Sequence, residues 1–185
     1  MRRMTAVITV LMSAVLVLSA CGGSSPSEAV SDQLDQIKSA EMGEALASVV
    51  DNAELSDDNK ELYEGFVKKL HDFDYEIVDE EISSEGDKAA VSVKISTYNF
   101  GKAYLDAYED ILLGLGSGSV STEKLYNELF SSLSGVEEKT FKKTVKVECR
   151  KNDSGDWEPD VTTNTVLINA IFGNLQSVLE DFSEL

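Results

Sequence analysis

Between residues 88 and 97 the chain alternates strictly: Ala89, Val91, Val93, Ile95 and Thr97 are separated by Ala90, Ser92, Lys94 and Ser96. A period of two puts the first set on one face of a strand and leaves the other face wet. A longer run behaves the same way, with Phe141, Lys143, Val145, Val147 and Cys149 on one side and Lys142, Lys146, Glu148 and Arg150 on the other. Each run has a neighbour across a turn. Tyr75-Glu76-Ile77-Val78 opens a strand reaching about Ile82, and Ser84-Glu85-Gly86-Asp87 supplies turn chemistry. Asn152-Asp153-Ser154-Gly155 turns the second run back through Trp157, and Pro159 marks that return strand as an edge.

Around these hairpins the period is helical. Ser25-Pro26-Ser27-Glu28 has the form of a capping box with proline at the first helical position, followed by Val30, Leu34 and Ile37. A short helix carrying Met42, Ala45, Leu46, Val49 and Val50 is expected next. Ser56 opens a further helix, with Asp57 and Asp58 serving the helix dipole and Leu62, Tyr63, Phe66, Val67 and Leu70 buried. Phe100, Tyr104, Leu105, Tyr108, Ile111 and Leu112 return to helical spacing until the loop Gly114-Leu115-Gly116-Ser117-Gly118-Ser119. Ser121 caps another helix bearing Leu125, Leu129, Phe130 and Leu133, and one last amphipathic helix carries Leu167, Ala170, Ile171, Leu175, Val178, Leu179 and Phe182. Strands in antiparallel pairs among helices make this an α+β fold, with a curved antiparallel sheet of about four strands and helices on its concave face.

The start of the chain obeys a different logic. Met1-Arg2-Arg3-Met4 is basic, and Ala6 through Leu18 is an apolar run shorter than the ~20 residues a membrane span needs. Leu18-Ser19-Ala20-Cys21 then has the order of a bacterial lipobox, whose cysteine receives a diacylglyceryl group before cleavage and further acylation such as palmitate. Residues 1–20 are expected to be a signal peptide, residues 21–25 a lipidated cysteine and flexible tether, and residues 26–185 one domain. The expected location is the outer face of the cell membrane, held by the lipid on Cys21.

Charge narrows the partners. The formal net charge is −18, and loss of Arg2 and Arg3 leaves 14 basic against 34 acidic residues, about −20. Nucleic acid is thereby excluded as a partner, since its affinity rests on lysine and arginine neutralising phosphates; the domain is also kept from lying flat on an anionic leaflet. With Cys21 lipidated, Cys149 has no disulfide partner, and its parity with Val145 and Val147 points it into the core as a structural thiol.

Pro26…Ala29-Val30, Leu34 and Ile37-Lys38, together with the hairpins at Tyr75–Val93 and Val145–Trp157, resemble the NTF2-like (cystatin-like) lipoproteins of Gram-positive bacteria. Thr97-Tyr98-Asn99-Phe100-Gly101-Lys102-Ala103 is similar to a segment of uncharacterised clostridial-type lipoproteins of the domain-of-unknown-function class. The resemblance implies an NTF2-like curved sheet with N-terminal helices, a C-terminal helix and a helical pair inserted at residues 98–138, where it could plug or lid the cone. It implies no activity.

Candidate chemistry is sparse. His71, the only histidine, stands at a helix-to-strand junction, and no nucleophile elbow, zinc-ligand spacing or phosphate loop accompanies it. Asp79-Glu80-Glu81 reads as a solvated strand edge with a bulge. No catalytic residue, metal or cofactor is assigned. Tyr75, Tyr98, Phe100, Tyr104 and Trp157, with Tyr108, are the candidates for lining a pocket, because small-ligand sites use aromatic walls with a few polar tips. Three functions follow as expectations. The first is a non-catalytic module binding a small ligand near Tyr98, Tyr104 and Trp157, or an envelope protein. The second is an enzyme built in an NTF2-like cavity, and the third a structural or regulatory envelope lipoprotein acting through its acidic surface.

Overall fold

The alternating runs pair as their patterns demand. In a computed structural model describing residues 24–39, 56–115 and 121–183, β1 (Asp74–Ile82), β2 (Lys88–Thr97), β3 (Phe141–Lys151) and β4 (Trp157–Pro159) form an antiparallel sheet in the order β1-β2-β3-β4. Val91 lies opposite Val147 and Val93 opposite Val145, so the apolar faces of the two central strands coincide. The short strand with Pro159 is an edge, as its proline requires. Six helices accompany the sheet among the described residues: α1 (Pro26–Ser39), α2 (Asp57–His71), α3 (Phe100–Leu115), α4 (Thr122–Gly135), α5 (Thr165–Ile171) and α6 (Leu175–Ser183). The fold is α+β. The expected helix at Met42–Val50, the signal segment, Cys21 and most of the Gly/Ser loop lie outside the described residues.

At β1 the ladder slips: Ile77 pairs with Val93 but Asp79 pairs with Ser92, which leaves Val78 as the bulged residue. Beyond the bulge, Glu80 takes the place opposite Val91 on the inner side. Its carboxylate accepts the Ser27 backbone N–H at 2.9 Å and the Ser27 hydroxyl. The neighbouring cap is the reciprocal box read from the sequence. Ser25 N–H donates to Glu28 Oε2 at 2.8 Å, and Glu28 N–H donates to Ser25 Oγ at 3.2 Å. With Pro26 lacking a donor and Ala29 N–H bonded to Ser25 O, every amide of the first turn of α1 is satisfied.

Helices do not all cover the sheet, contrary to expectation. Among the described residues only α1 and α5 do so: Val30, Leu34, Leu167, Ala170 and Ile171 pack with Val91, Val93, Ile95, Val145, Val147, Cys149 and Phe73. The remaining helices build a second core from Tyr63, Phe66, Leu70, Phe100, Leu129, Phe130 and Leu133. The pair α3–α4 lies between β2 and β3 in the chain, where residues 98–138 were expected to insert.

The single C-terminal helix expected from periodicity is two. Gly173 and Asn174 adopt φ of 53° and 66°, and Asn174 N–H bonds Asn169 O while Gly173 N–H bonds Ala170 O. This is a Schellman stop with glycine at the position after the cap. A side chain could not replace that glycine, because a Cβ there would sit 1.9 Å from Tyr98 O. Gly101 faces the same turn, its N–H donating to Gly173 O at 2.9 Å. Buried Asn169 fixes the corner: its Nδ2 donates to Asn174 Oδ1 and Ser177 Oγ, and its Oδ1 accepts Ser177 N–H.

Candidate functional site: a polar joint and an open sheet face

Five of the six aromatic candidates are divided between the two cores, and Tyr108 lies on α3 outside both. Tyr98, Phe100 and Tyr104 belong to the helical core, where Phe100 is fully buried and its ring meets Phe66 edge-on at 5.2 Å. Burial raises the Tyr104 phenol above its ordinary pKa, with Tyr108 adding to the shift. Tyr75 and Trp157 instead flank the sheet core. The Tyr75 hydroxyl donates to Asp35 Oδ1 at 2.8 Å, and Lys151 Nζ stands 4.9 Å from the Trp157 ring centre. His71 closes the last turn of α2 and its Nδ1–H donates to Ile37 O at 2.8 Å, tying α2 to α1. Among the described residues no group of three or more His, Cys, Asp or Glu side chains could hold a metal ion.

What the structure does bring together lies far apart in sequence. Asp72 follows α2, Tyr98 links β2 to α3, and Lys139 lies between α4 and β3. The Tyr98 hydroxyl donates to Asp72 Oδ2 at 2.6 Å, while Lys139 Nζ donates to Asp72 Oδ1 at 2.7 Å and to Asp74 Oδ2 at 3.0 Å. Lys69 Nζ lies 5.2 Å from the Tyr98 ring centre and donates to Val136 O. The Lys139 and Tyr98 hydrogen bonds hold the Asp72 carboxyl below its usual pKa. The bond to Asp72, then burial, raises the Tyr98 phenol. Burial opposes the charged form of Lys139, but its two carboxylates outweigh this together and its pKa rises. A phenol made a weaker acid, a carboxylate made a weaker base and a lysine fixed as ammonium are poor proton carriers. The cluster is suited to bolting three chain segments together.

The sheet presents its second face to solvent. The side chains of Glu76, Asp79 and Glu81 on β1, Lys88 and Lys94 on β2, Lys142, Lys146, Glu148 and Arg150 on β3, and Glu158 on β4 fall on it by register. Lys94 bridges to Glu76 at 3.3 Å and Lys146 to Glu81 at 3.1 Å. No helix among the described residues packs on this face; α1 and α5 are both on the other. Sequence alternation predicted a wet face, but cross-strand pairing of its charges needs the register.

Fold and site together define an α+β domain with one covered and one open sheet face. No protein-family model and no curated protein matches the chain. Among solved structures it is similar to YcdA, a candidate lipoprotein of Bacillus subtilis strain 168, at 19% identity and a TM-score of 0.41. The match covers 91% of this chain and 54% of YcdA, so the chain spans about half the length of that protein. Among the described residues no helix is long and apolar enough to cross a membrane.

Proposed function

We propose that this chain is an extracytoplasmic lipoprotein, anchored through diacylglycerol and palmitate on Cys21, that works as a non-catalytic interaction module. The Leu18-Ser19-Ala20-Cys21 lipobox supports the anchor. The open sheet face supports the interaction, and it carries this reading. In a chain of formal charge −18, that face interleaves acids with Lys88, Lys94, Lys142, Lys146 and Arg150. A protein partner can therefore approach it without meeting the repulsion of the acidic remainder. The resemblance to NTF2-like lipoproteins of Gram-positive, clostridial type belongs to the same proposal. Division of the aromatic candidates between two cores favours a protein partner over a small ligand held among them.

A photo-crosslinking residue at Thr144, in the middle of the open face, tests this against one at Glu109 on the exposed side of α3. In intact cells Thr144 should give one discrete adduct that Lys146→Glu removes, and Glu109 none. Equal labelling from both positions, or none from Thr144, would sink the interaction reading.

A further inference from the structure

We infer that the lipid anchor orients the domain, with the two β-hairpin turns facing the membrane surface and the Asp72–Tyr98–Lys139 joint displayed at the far end. The inference rests on the proposed lipidation of Cys21. It follows from where the first turn of α1 is held and which way α1 runs.

The first turn of α1 is fixed at one end of the sheet. Ser27 is bonded to Glu80, near the end of β1, and the amides around it are all satisfied, so this terminus is held in place. From there α1 runs against β1: Asp35 meets the Tyr75 hydroxyl, and Ile37 O accepts from His71, just before the start of β1. Pro26 therefore lies at the end of the sheet where β1 turns into β2 at Ser83–Asp87 and β3 turns into β4 at Asn152–Asp156.

Between Cys21 and Pro26 the chain can stretch at most about 3.3–3.6 Å per residue, roughly 18 Å in all. The opposite end of the sheet is farther off. Along the ten residues of β2 the rise is about 3.3 Å each, giving roughly 30 Å between the turns and the Tyr98 end. A lipid on Cys21 thus keeps the turns near the headgroups while leaving the joint well above them. Charge gives the turns no net pull onto an anionic leaflet, since Glu85, Asp87, Asp153 and Asp156 there outnumber Lys88, Arg150 and Lys151. The lipid surface is the partner of this end, and the open face stands upright beside it, reachable from the side.

Energy transfer measures the orientation. Ser154→Cys in the β3–β4 turn and Glu137→Cys before β3 are both at exposed positions at opposite ends of the sheet. Each is made in the full chain, labelled with a donor dye and reconstituted in phosphatidylglycerol–phosphatidylethanolamine vesicles containing a headgroup-labelled acceptor. Buried Cys149, its thiol pushed up to about 11, does not compete for the label. With the protein floating with the vesicles, transfer from position 154 should exceed that from position 137 by about twofold or more, given the ~30 Å difference in height. Equal or reversed transfer in protein that floats overturns the orientation and leaves the anchor standing. Failure to float, with no incorporation of labelled palmitate by the wild type, overturns both.

Discussion

The two cores of this domain are made of different materials. Around the sheet the buried set is mainly aliphatic and β-branched, ordered by a period of two, and closed over by α1 and α5. Between the helices it is aromatic, with Tyr63 edge-on to Phe130 at 5.3 Å and Phe66 edge-on to Phe100 at 5.2 Å. Polar loose ends concentrate in the second. Among the described residues Asn59 Oδ1, Tyr63 Oη and Gln176 Oε1 are buried on its helices without a hydrogen-bond partner, against Thr97 Oγ1 alone on the sheet; Leu105, Leu112, Leu113 and Leu125 are exposed on α3 and α4, against Val78 and Ile82 on β1 and Val166 on α5. A strand ladder satisfies its backbone while it aligns its apolar face, whereas packed helices must reconcile side chains one by one. The sheet half is the better-satisfied scaffold, and the helical half carries most of the compromises.

The cores nevertheless share α5, whose Ile168 faces the helical set while Leu167, Ala170 and Ile171 face the sheet. Breaking that corner should do the most damage. Gly173→Ala puts a Cβ where it would lie 1.9 Å from Tyr98 O. Together with the positive φ, the expected cost is on the order of 3–5 kcal/mol, read as a lower urea midpoint. Destabilisation below 1 kcal/mol would mean the corner is not the shared hinge of the two cores.

Next in size are matched truncations, Phe100→Ala in the helical core at about 3–5 kcal/mol and Leu34→Ala in the sheet core at about 2–5 kcal/mol. Both side chains are fully buried. Trp157, packed against the sheet core, reports one half by fluorescence, and far-UV circular dichroism at the helical minimum reports chiefly the other. In each variant the two probes should give a single coincident transition, because α5 couples the halves. Separate midpoints would make the cores independent units.

That contrast also decided what could be read from the sequence. The period-two runs and the turns between them fixed the strands, the two hairpins, the inward Cys149 and the edge at Pro159, since a register shift of one residue would turn every side chain over; the pairing of β2 with β3 across α3 and α4 came only with the structure. Caps at Ser25 and Ser121 were equally local. Periodicity alone could not show that Leu167 and Leu175 lie on different helices, although Gly173-Asn174 carried the stop signal. Asn59 was missed because a polar residue does not announce burial. The Asp72–Tyr98–Lys139 joint was invisible for a stronger reason: its members are brought together only by tertiary packing, with Lys139 lying 67 residues from Asp72.

Each core also holds one group whose titration burial displaces by a wide margin. Burial lifts Cys149 from 9.0 to about 11 and Tyr63 from 10.0 to about 12. Both pKa values are raised on folding, so each group's contribution is full below its unfolded value and is lost as pH rises through its folded one. Stability should therefore begin to fall near pH 9 through the sheet core and fall further from pH 10 through the helical core. The expected loss is on the order of 1–2 kcal/mol per group. Urea midpoints from pH 8 to 11 check this, and Cys149→Ala should delay the onset by about one unit. An unchanged onset would place the thiol outside the balance.

The smallest expected effect is the sharpest test of how the halves differ. Tyr63 and Tyr98 are both buried tyrosines of the helical core, but only Tyr98 has a partner for its hydroxyl, the Asp72 carboxylate. Removing a paired donor leaves the acceptor short, and Asp72 is partly solvated, so Tyr98→Phe should cost about 1 kcal/mol. Tyr63→Phe removes a hydroxyl that was desolvated without compensation, and the phenyl ring keeps its edge-on contact with Phe130. It should be neutral or stabilising by up to about 1 kcal/mol, and it should reduce the part of the alkaline loss that starts at pH 10, to which Tyr98 and Tyr104 also contribute. Urea midpoints at pH 7 and pH 10.5 measure both effects on one variant. If Tyr63→Phe is as costly as Tyr98→Phe, the hydroxyl is satisfied in solution, and the polar debt assigned to the helical half is smaller than its buried atoms indicate.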